Sequence, residues 1–178
     1  MKARVSVLML LLFVSCGASP AEVKAARDTT YSAEPVTLFN ELKAATEQTY
    51  KIAAVDETTF AIRTAGRWYT PEGQVDTKAG TNPSSVQDKS INLAVLVGIV
   101  RADSRSYKVI IEPIVLRKNG LSSAPEALKM TDPTVPGWVR GKLDSLQVEI
   151  HHRLERYAVT TVEPATERPS SRPSSSGW

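Results

Sequence analysis

The sequence predicts an α+β protein in which an antiparallel sheet of about four strands carries two helices on one face. Two observations predict this fold class. Segments with apolar residues at helical spacing stand at both ends of the central region, and two pairs of alternating segments lie between them. Each helix has a single apolar stripe, and an antiparallel sheet is the layer that can bury it.

The chain of 178 residues, with 42% hydrophobic and 23% charged residues, is long enough for one ordinary domain with short appendages. The domain is predicted at 34–160. The formal charge is +3 for the whole chain and +1 from Cys16 onward, because Lys2 and Arg4 precede it. The other basic residues are scattered, which disfavours nucleic-acid binding.

The first predicted helix covers 35–48, with Pro35 suited to its first turn and an apolar stripe that begins at Leu38 and Phe39. A strand follows over 50–55. Residues 56–59 form a turn, and a second strand runs from Phe60 to Trp68 with Gly66 as a bulge or twist point.

After a polar loop at 71–89, residues 91–100 alternate with apolar or small residues on both faces, which predicts a central strand. A turn at 103–106 leads to a partner strand at 107–116, in which Pro113 indicates an edge or a bulge. A second loop covers 117–135. The last helix is predicted over 136–157 from an apolar stripe at steps of three and four: Val139, Leu143, Leu146, Ile150, Leu154 and Tyr157.

The opposite face of the predicted sheet carries mostly small residues and is expected to be thinly covered, so that it could contact a partner. Its residues are Ala53, Arg63, Ala65, Ala94 and Gly98.

The N-terminus has the form of an export signal. Lys2 and Arg4 precede an apolar run from Val5 to Val14. This run is shorter than the roughly 17–25 residues that a transmembrane helix needs, and it matches the apolar region of a signal peptide. A signal peptide is therefore predicted over 1–15.

Phe13-Val14-Ser15-Cys16, followed by Gly17, resembles the lipobox of bacterial lipoproteins. The resemblance implies that Cys16 is acylated by palmitate-type chains and becomes the first mature residue. It also implies an outer-membrane location on the periplasmic face, because aspartate after the cysteine is the inner-membrane signal of this class. Cleavage after Ala18 or Ala21 is the alternative, and it predicts a soluble periplasmic or secreted protein.

Two segments are predicted to lie outside the domain. Residues 16–33 are small and polar and are expected to form a flexible tether. Residues 161–178 are rich in proline and serine, with Arg-Pro-Ser-Ser at 168–171 and again at 172–175. Such a segment cannot build a core and is expected to be a disordered tail.

The segment TYKIAAVDETTFAIRTAGRWY resembles the helix-grip domains of outer-membrane assembly lipoproteins of the BamC type. In those domains a helix precedes a strand of the form aromatic–x–Ile, a turn, and a second strand that ends near an aromatic residue. Tyr50, Ile52, Asp56 and Trp68 occupy these places here. The resemblance implies a helix-grip-like two-layer fold and a non-catalytic, periplasm-facing scaffold, and it identifies no binding residues.

The candidate interaction surface is formed by Arg67, Trp68 and Tyr69 at the end of the second strand, because tryptophan, tyrosine and arginine are typical of binding hot spots. The favoured alternative is that Trp68 caps the core while Tyr69 faces solvent. Trp138 is expected to pack at the start of the last helix, or to contact the membrane surface.

The last helix offers two pairs with metal-ligand spacing, His151 with Glu155 and Glu149 with His152. Neither pair is completed elsewhere in the sequence, so solvated histidines are favoured, and no metal or cofactor is predicted. No serine-nucleophile or phosphate-loop motif occurs, and the protein is not expected to be an enzyme.

The predicted function is a lipid-anchored, non-catalytic interaction or assembly module with an envelope protein as partner. Two alternatives remain open: a small-ligand or lipid-binding domain with its pocket between helix and sheet, and a hydrolase with an unrecognised site. An open cavity of several hundred Å³ favours the ligand-binding alternative.

Overall fold

In the structure, a computed structural model that describes residues 18–77, 79, 85–120 and 124–159, two helices precede the strands and one follows them. In this part of the chain the helices are α1 (Pro20–Asp28), α2 (Pro35–Thr49) and α3 (Gly137–Leu154), and a 3₁₀ turn (Glu155–Tyr157) follows α3. The strands are β1 (Ile52–Asp56), β2 (Ala61–Thr64), β3 (Arg67–Tyr69), β4 (Ile91–Arg101), β5 (Tyr107–Arg117) and β6 (Glu126–Leu128).

The predicted α+β class is confirmed. The strands form an antiparallel sheet in the order β1-β2-β4-β5-β6, and β3 pairs with β4 beside β2. The long β4–β5 hairpin joins Ile91 to Arg117 in unbroken register. The sheet has six strands rather than about four, because the second predicted strand is split in two and because β6 lies inside the predicted loop 117–135.

The core lies between α2, α3 and one face of the sheet. Alternate residues of β4 are buried on this face because successive side chains of a strand point to opposite sides. The fully buried side chains from the three elements include Leu38, Leu42, Leu93, Val95, Val97, Ile150 and Leu154. Phe39 of α2 packs edge-on against Phe60 at a centroid distance of 5.6 Å. The predicted apolar stripes of both helices are therefore the buried ones.

Gly66, predicted as a bulge or twist point within one strand, instead lies in a break that separates β2 from β3. At the break, the Thr64 hydroxyl accepts a hydrogen bond from the Val95 backbone N–H at 2.8 Å. This side-chain contact satisfies a donor that a continuous strand would have satisfied. The amide of Asn92 fills the space beside Gly66, so no larger residue fits there without displacing it.

Pro113 lies on an open stretch of β5, as the sequence predicts. On the side away from β4, β6 pairs only with Val115–Arg117, and the backbone of Tyr31 pairs with Tyr107 at the opposite end. Between these two contacts, the described residues place no strand beside β5. The missing N–H of proline is tolerated at such an edge.

The prediction of a flexible tether over 16–33 is wrong for its second part, because α1 occupies 20–28. Ser19 caps this helix reciprocally with Glu22: its hydroxyl accepts from the Glu22 N–H at 3.2 Å, and its own N–H donates to the Glu22 carboxylate at 2.8 Å. The helix packs on α3 through Val23, Ala26 and Val148.

A second set of contacts extends the fold before the predicted start at 34. The side chain of Gln147 donates to the Ala26 carbonyl at 3.0 Å. Tyr31 is buried, and its backbone pairs with both Tyr107 and Ala158. The packed structure thus includes Ala18, the first of the described residues, and its described part ends at Val159, next to the predicted boundary at 160.

Several predictions fall on residues that the structure does not describe: the signal peptide at 1–15, acylation of Cys16, and the tail at 161–178. Among the helices of the described ranges, none combines the length and apolar character needed to cross a bilayer.

Candidate functional site

A cleft of about 470 Å³ opens where the end of α2, the strand β3 and the first turns of α3 meet. Its walls include Tyr50, Tyr69 and Trp138, and its mouth carries Arg67, Lys142 and Glu149. The strand β3 supplies residues at i and i+2, and α3 supplies residues at steps of three and four. The cleft is therefore a product of sheet and helix periodicity at one end of the two layers.

The floor of the cleft is an aromatic pair. The rings of Tyr69 and Trp138 lie 5.2 Å apart between centroids, with an interplanar angle of 46°. The Trp138 Nε1–H donates to the Pro71 carbonyl at 2.9 Å, which fixes the indole. Gly73 passes directly beside the ring at a φ of +90°, and a Cβ there would lie 2.7 Å from the indole Cγ. Only glycine meets both conditions.

The mouth of the cleft carries both signs of charge, but the negative group is already engaged. The Lys142 ammonium lies 4.8 Å from the centroid of the Tyr69 ring, a cation–π contact. Arg67 is exposed beside it. The Glu149 carboxylate accepts a hydrogen bond from the Thr49 hydroxyl at 2.9 Å. Two cationic side chains therefore face one carboxylate at the mouth, so positive charge is in excess there.

Tyr50 is buried in the cleft wall, and this burial is the main reason that its pKa is raised to about 12. Tyr69 and Glu149 raise the pKa further, and Arg67 opposes them. The phenol is thus neutral near pH 7 and can donate a hydrogen bond. A phenol with such a pKa is poorly matched to the role of a general base near neutral pH.

The predicted surface of Arg67, Trp68 and Tyr69 is divided between two sides of the sheet. Tyr69 lies opposite Ile91 on the core side and is only 3% exposed, whereas Trp68 lies opposite Asn92 on the other face and is half-buried. The favoured alternative, with Tyr69 in solvent and Trp68 capping the core, is wrong. The β3–β4 register places the Tyr69 ring on the core side of the sheet and the Trp68 ring on the opposite face. Arg67 and Tyr69 share the cleft.

The predicted pair of solvated histidines is half right. His152 is exposed, but His151 is half-buried, and its Nδ1 lies 2.9 Å from the Tyr31 hydroxyl. Glu149, the other candidate ligand, bonds to Thr49. Within the residues that the structure describes, no group of three or more histidine, cysteine or acidic side chains is placed to hold a metal ion.

Tyr50, Trp138 and Lys142 are among the cleft residues that were not predicted as site residues. A signal for two of them is present in the sequence. Trp138, Gly141, Lys142, Ser145 and Glu149 recur at helical spacing and form a second stripe of α3 beside the apolar one. Gly141 and Ser145 are small, and the space beside them on α3 forms part of the cleft.

A larger depression of about 610 Å³ lies at the end of α3, but its character differs. It is lined by charged side chains and His152, and its Glu41 carboxylate binds both Arg153 and Arg156. Its lining contains no phenol or indole, and Glu41, Arg153 and Arg156 are already paired with one another. The aromatic cleft is therefore the better candidate site.

Fold and cleft together define an α+β protein with an open cleft, floored by aromatic rings, at one end of its two layers. A scan of the sequence against protein-family models finds no match. A search of curated proteins finds no match either. A function for this protein therefore has to be argued from the chemistry of its own residues.

Proposed function

We propose that the protein is a lipid-anchored, non-catalytic interaction module on the periplasmic face of the outer membrane, and that its aromatic cleft binds an envelope protein. The observation that carries the proposal is the Tyr69–Trp138 pair with Lys142 and Arg67 beside it. Rigid aromatic residues with an adjacent arginine are the composition of binding hot spots.

The shape of the cleft favours a protruding segment of a protein over an enclosed small molecule. Small-ligand sites bury 70–90% of the ligand surface. This cleft is instead open along one side and rimmed by charged side chains. Since Arg67 and Lys142 outnumber Glu149 at the rim, an acidic segment with one apolar or aromatic side chain fits best.

The proposed anchor rests on the sequence. The apolar run from Val5 to Val14 ends directly before the small residues around Cys16. One acyl chain binds a membrane only marginally, but two or three hold firmly, at roughly 0.8 kcal/mol for each buried CH₂. Acylation of Cys16 would therefore keep the cleft at the membrane surface.

Site-specific photo-crosslinking in intact cells tests the cleft. A photoreactive residue in place of Arg67 is expected to capture one envelope protein, and the same residue at Val36, which is 57% exposed on α2, is not. The captured protein is then purified, and its Kd for the full-length lipoprotein is measured. Lys142→Glu is expected to weaken binding by at least tenfold, whereas Lys142→Arg retains it. Equal capture at both positions, or an unchanged Kd for Lys142→Glu, refutes the proposal.

The anchor has a separate test. Cys16→Ser is expected to abolish labelling by a palmitate analogue and to release the protein from membranes. Retained membrane association without label would show that another feature holds the protein there. Recovery of the natural protein with a free amine at Ser19 or Glu22 would show ordinary signal cleavage instead.

A small ligand is a second candidate occupant, because a volume of about 470 Å³ lies within the range of ligand pockets. Native mass spectrometry of the lipoprotein extracted from its own membranes would reveal a bound molecule as added mass. Loss of this mass in Trp138→Ala, with the fold retained, would favour the ligand over the protein partner.

A further inference from the structure

We propose that β1 is a self-association edge, at which β1 of one copy pairs antiparallel with β1 of a second copy and joins two sheets across a two-fold axis. The proposal concerns a surface separate from the aromatic cleft. It depends on the position of β1 in the sheet, on the side chains that β1 exposes, and on the charges at its two ends.

The strand β1 is the first strand in the sheet order and pairs with β2 on one side only. Along its other side, the described part of the chain provides no pairing strand. The backbone N–H and C=O groups of such an edge are a template for another strand. Ala54, Val55 and Asp56 are in regular register with β2, so this half of β1 has the extended geometry that a further strand requires.

The side chains of β1 lack most of the features that protect natural edges. Ala53, Ala54 and Val55 are apolar and exposed, with Val55 at 37%. No charged residue or proline lies between Ile52 and Val55, and the only irregularity is the register shift between Ile52 and Ala54. The open stretch of β5, by contrast, contains Pro113, which blocks pairing.

The charges at the ends of β1 favour a second copy of the same strand as the partner of this edge. Lys51 precedes the strand, and Asp56 and Glu57 end it. Antiparallel pairing about the middle of β1 brings each Lys51 to the acidic end of the partner strand, so both ends are complementary at once. Parallel pairing would place like charges together. The edge is therefore complementary to a second copy of itself.

A contact of one short strand with small side chains buries little area, so the dimer is expected to be weak and to depend on concentration. Anchoring in one membrane would raise the effective concentration of the protein, an effect that rests on the proposed function. The pairing itself does not need the anchor.

Disulfide trapping tests the pairing in the full-length protein in its own membranes. Ala54 lies at the proposed two-fold centre, so Ala54→Cys is expected to give a dimer on mild oxidation. Val36→Cys, at an equally accessible position on α2, is expected to stay monomeric. The unaltered protein shows whether Cys16 alone gives a dimer. If Cys16 is not acylated, the unaltered protein itself forms a disulfide-linked dimer through Cys16. If β1 does not pair, Ala54→Cys and Val36→Cys give equal yields of dimer.

Sedimentation equilibrium of the purified full-length protein gives a second measurement that is free of engineered thiols. Its average mass is expected to rise toward the dimer with concentration and to fall with added salt. Val55→Lys is expected to weaken association by at least tenfold, whereas Val36→Lys leaves it unchanged, and matching circular dichroism spectra verify that both variants fold. A monomer at every concentration, or capture of a different protein at Ala54, overturns the proposal.

Discussion

The hydroxyl of Tyr31 lies 2.9 Å from Nδ1 of His151, and it joins the segment between α1 and α2 to the last turn of α3. The backbone of Tyr31 also pairs with Tyr107 of β5 and with Ala158 after the 3₁₀ turn. One residue thus links the helices, the sheet and the end of the described chain. Burial of its ring raises the pKa of Tyr31 to about 12, so the hydroxyl keeps its proton near neutral pH.

Removal of this hydroxyl is expected to destabilise the fold. Tyr31→Phe keeps the ring but leaves His151 without its partner, and the free energy of unfolding is expected to fall by about 1 kcal/mol. Urea unfolding measures the change. Tyr157→Phe is the control, because Tyr157 is only half-buried, and it is expected to stay within about 0.5 kcal/mol of the parent. Equal effects of the two changes would contradict the role given to the Tyr31–His151 contact.

The close approach of Gly73 to Trp138 predicts a cost for any side chain there. Gly73→Ala combines a φ of +90° with a clash against the indole, and it is expected to destabilise the protein by at least about 1 kcal/mol. It should also alter tryptophan fluorescence. Gly141→Ala is the matched control, since nothing lies within 4 Å of its added Cβ in the middle of α3. This change is expected to stabilise by about 0.5–1 kcal/mol.

Docking of α1 on α3 predicts local unfolding when a charge is placed at the contact. Val23→Asp puts a carboxylate where Ala26 and Val148 pack, and the opening free energy of α1 is expected to fall by about 1–3 kcal/mol. Hydrogen exchange should become faster over 20–28 and stay slow in β4. Ala25→Asp, on the exposed side of α1, should leave exchange nearly unchanged. Equal acceleration by both would mean that α1 is not held by this packing.

The hairpin turn between β4 and β5 predicts a loss of stability in acid. The Ser106 hydroxyl, with the Arg105 N–H, lowers the pKa of Asp103 below its ordinary value of 3.8. A carboxyl whose pKa is lower in the fold stabilises the fold above 3.8, and this contribution is lost as the pH falls below that value. Asp103→Asn should flatten the pH dependence of the denaturation midpoint there. An unchanged pH dependence of the denaturation midpoint would show that Asp103 does not cause the loss of stability in acid.

Tyr50 predicts the opposite pH dependence, a loss of stability as the pH rises into the alkaline range. Its pKa is raised from 10.0 to about 12, so its contribution to stability is complete below 10.0 and is lost as the pH rises toward 12. Arg67→Gln should raise the Tyr50 pKa further, and Glu149→Gln should lower it, because these side chains act on the phenol with opposite signs. An absorbance titration of phenolate formation, compared with Tyr50→Phe, measures both shifts. Shifts in the same direction would contradict the proposed geometry of the cleft.

The elements predicted correctly are those whose burial leaves a periodic trace. The stripes that include Leu38 and Leu42 in α2, and Ile150 and Leu154 in α3, mark the helices because a helix buries one side. The alternation in β4 marks a strand that is covered on one face and flanked on both edges. Pro113 and Gly66 also indicate their places, since each has a backbone property that a regular central strand does not tolerate.

The elements that were missed leave little trace. In α1 only Val23 and Ala26 are buried, so its apolar pattern is too sparse to show a period. The available signal was Ser19-Pro20 with Glu22 three residues after the serine, a capping box. Three-residue β6 is too short for alternation to register. The aromatic cleft depends on the approach of β3 to α3, which no local pattern of Arg67 or Trp138 encodes.

The capped start of α1 at Ser19 limits how far an anchored protein could reach. On the proposed acylation, only Gly17 and Ala18 separate Cys16 from this cap, and the three Cα–Cα steps span at most about 11 Å. A folded chain of this size is about 35–40 Å across. The domain could rotate about this short connection but could not move away from the lipid headgroups, so its partners would have to come within one protein diameter of the bilayer.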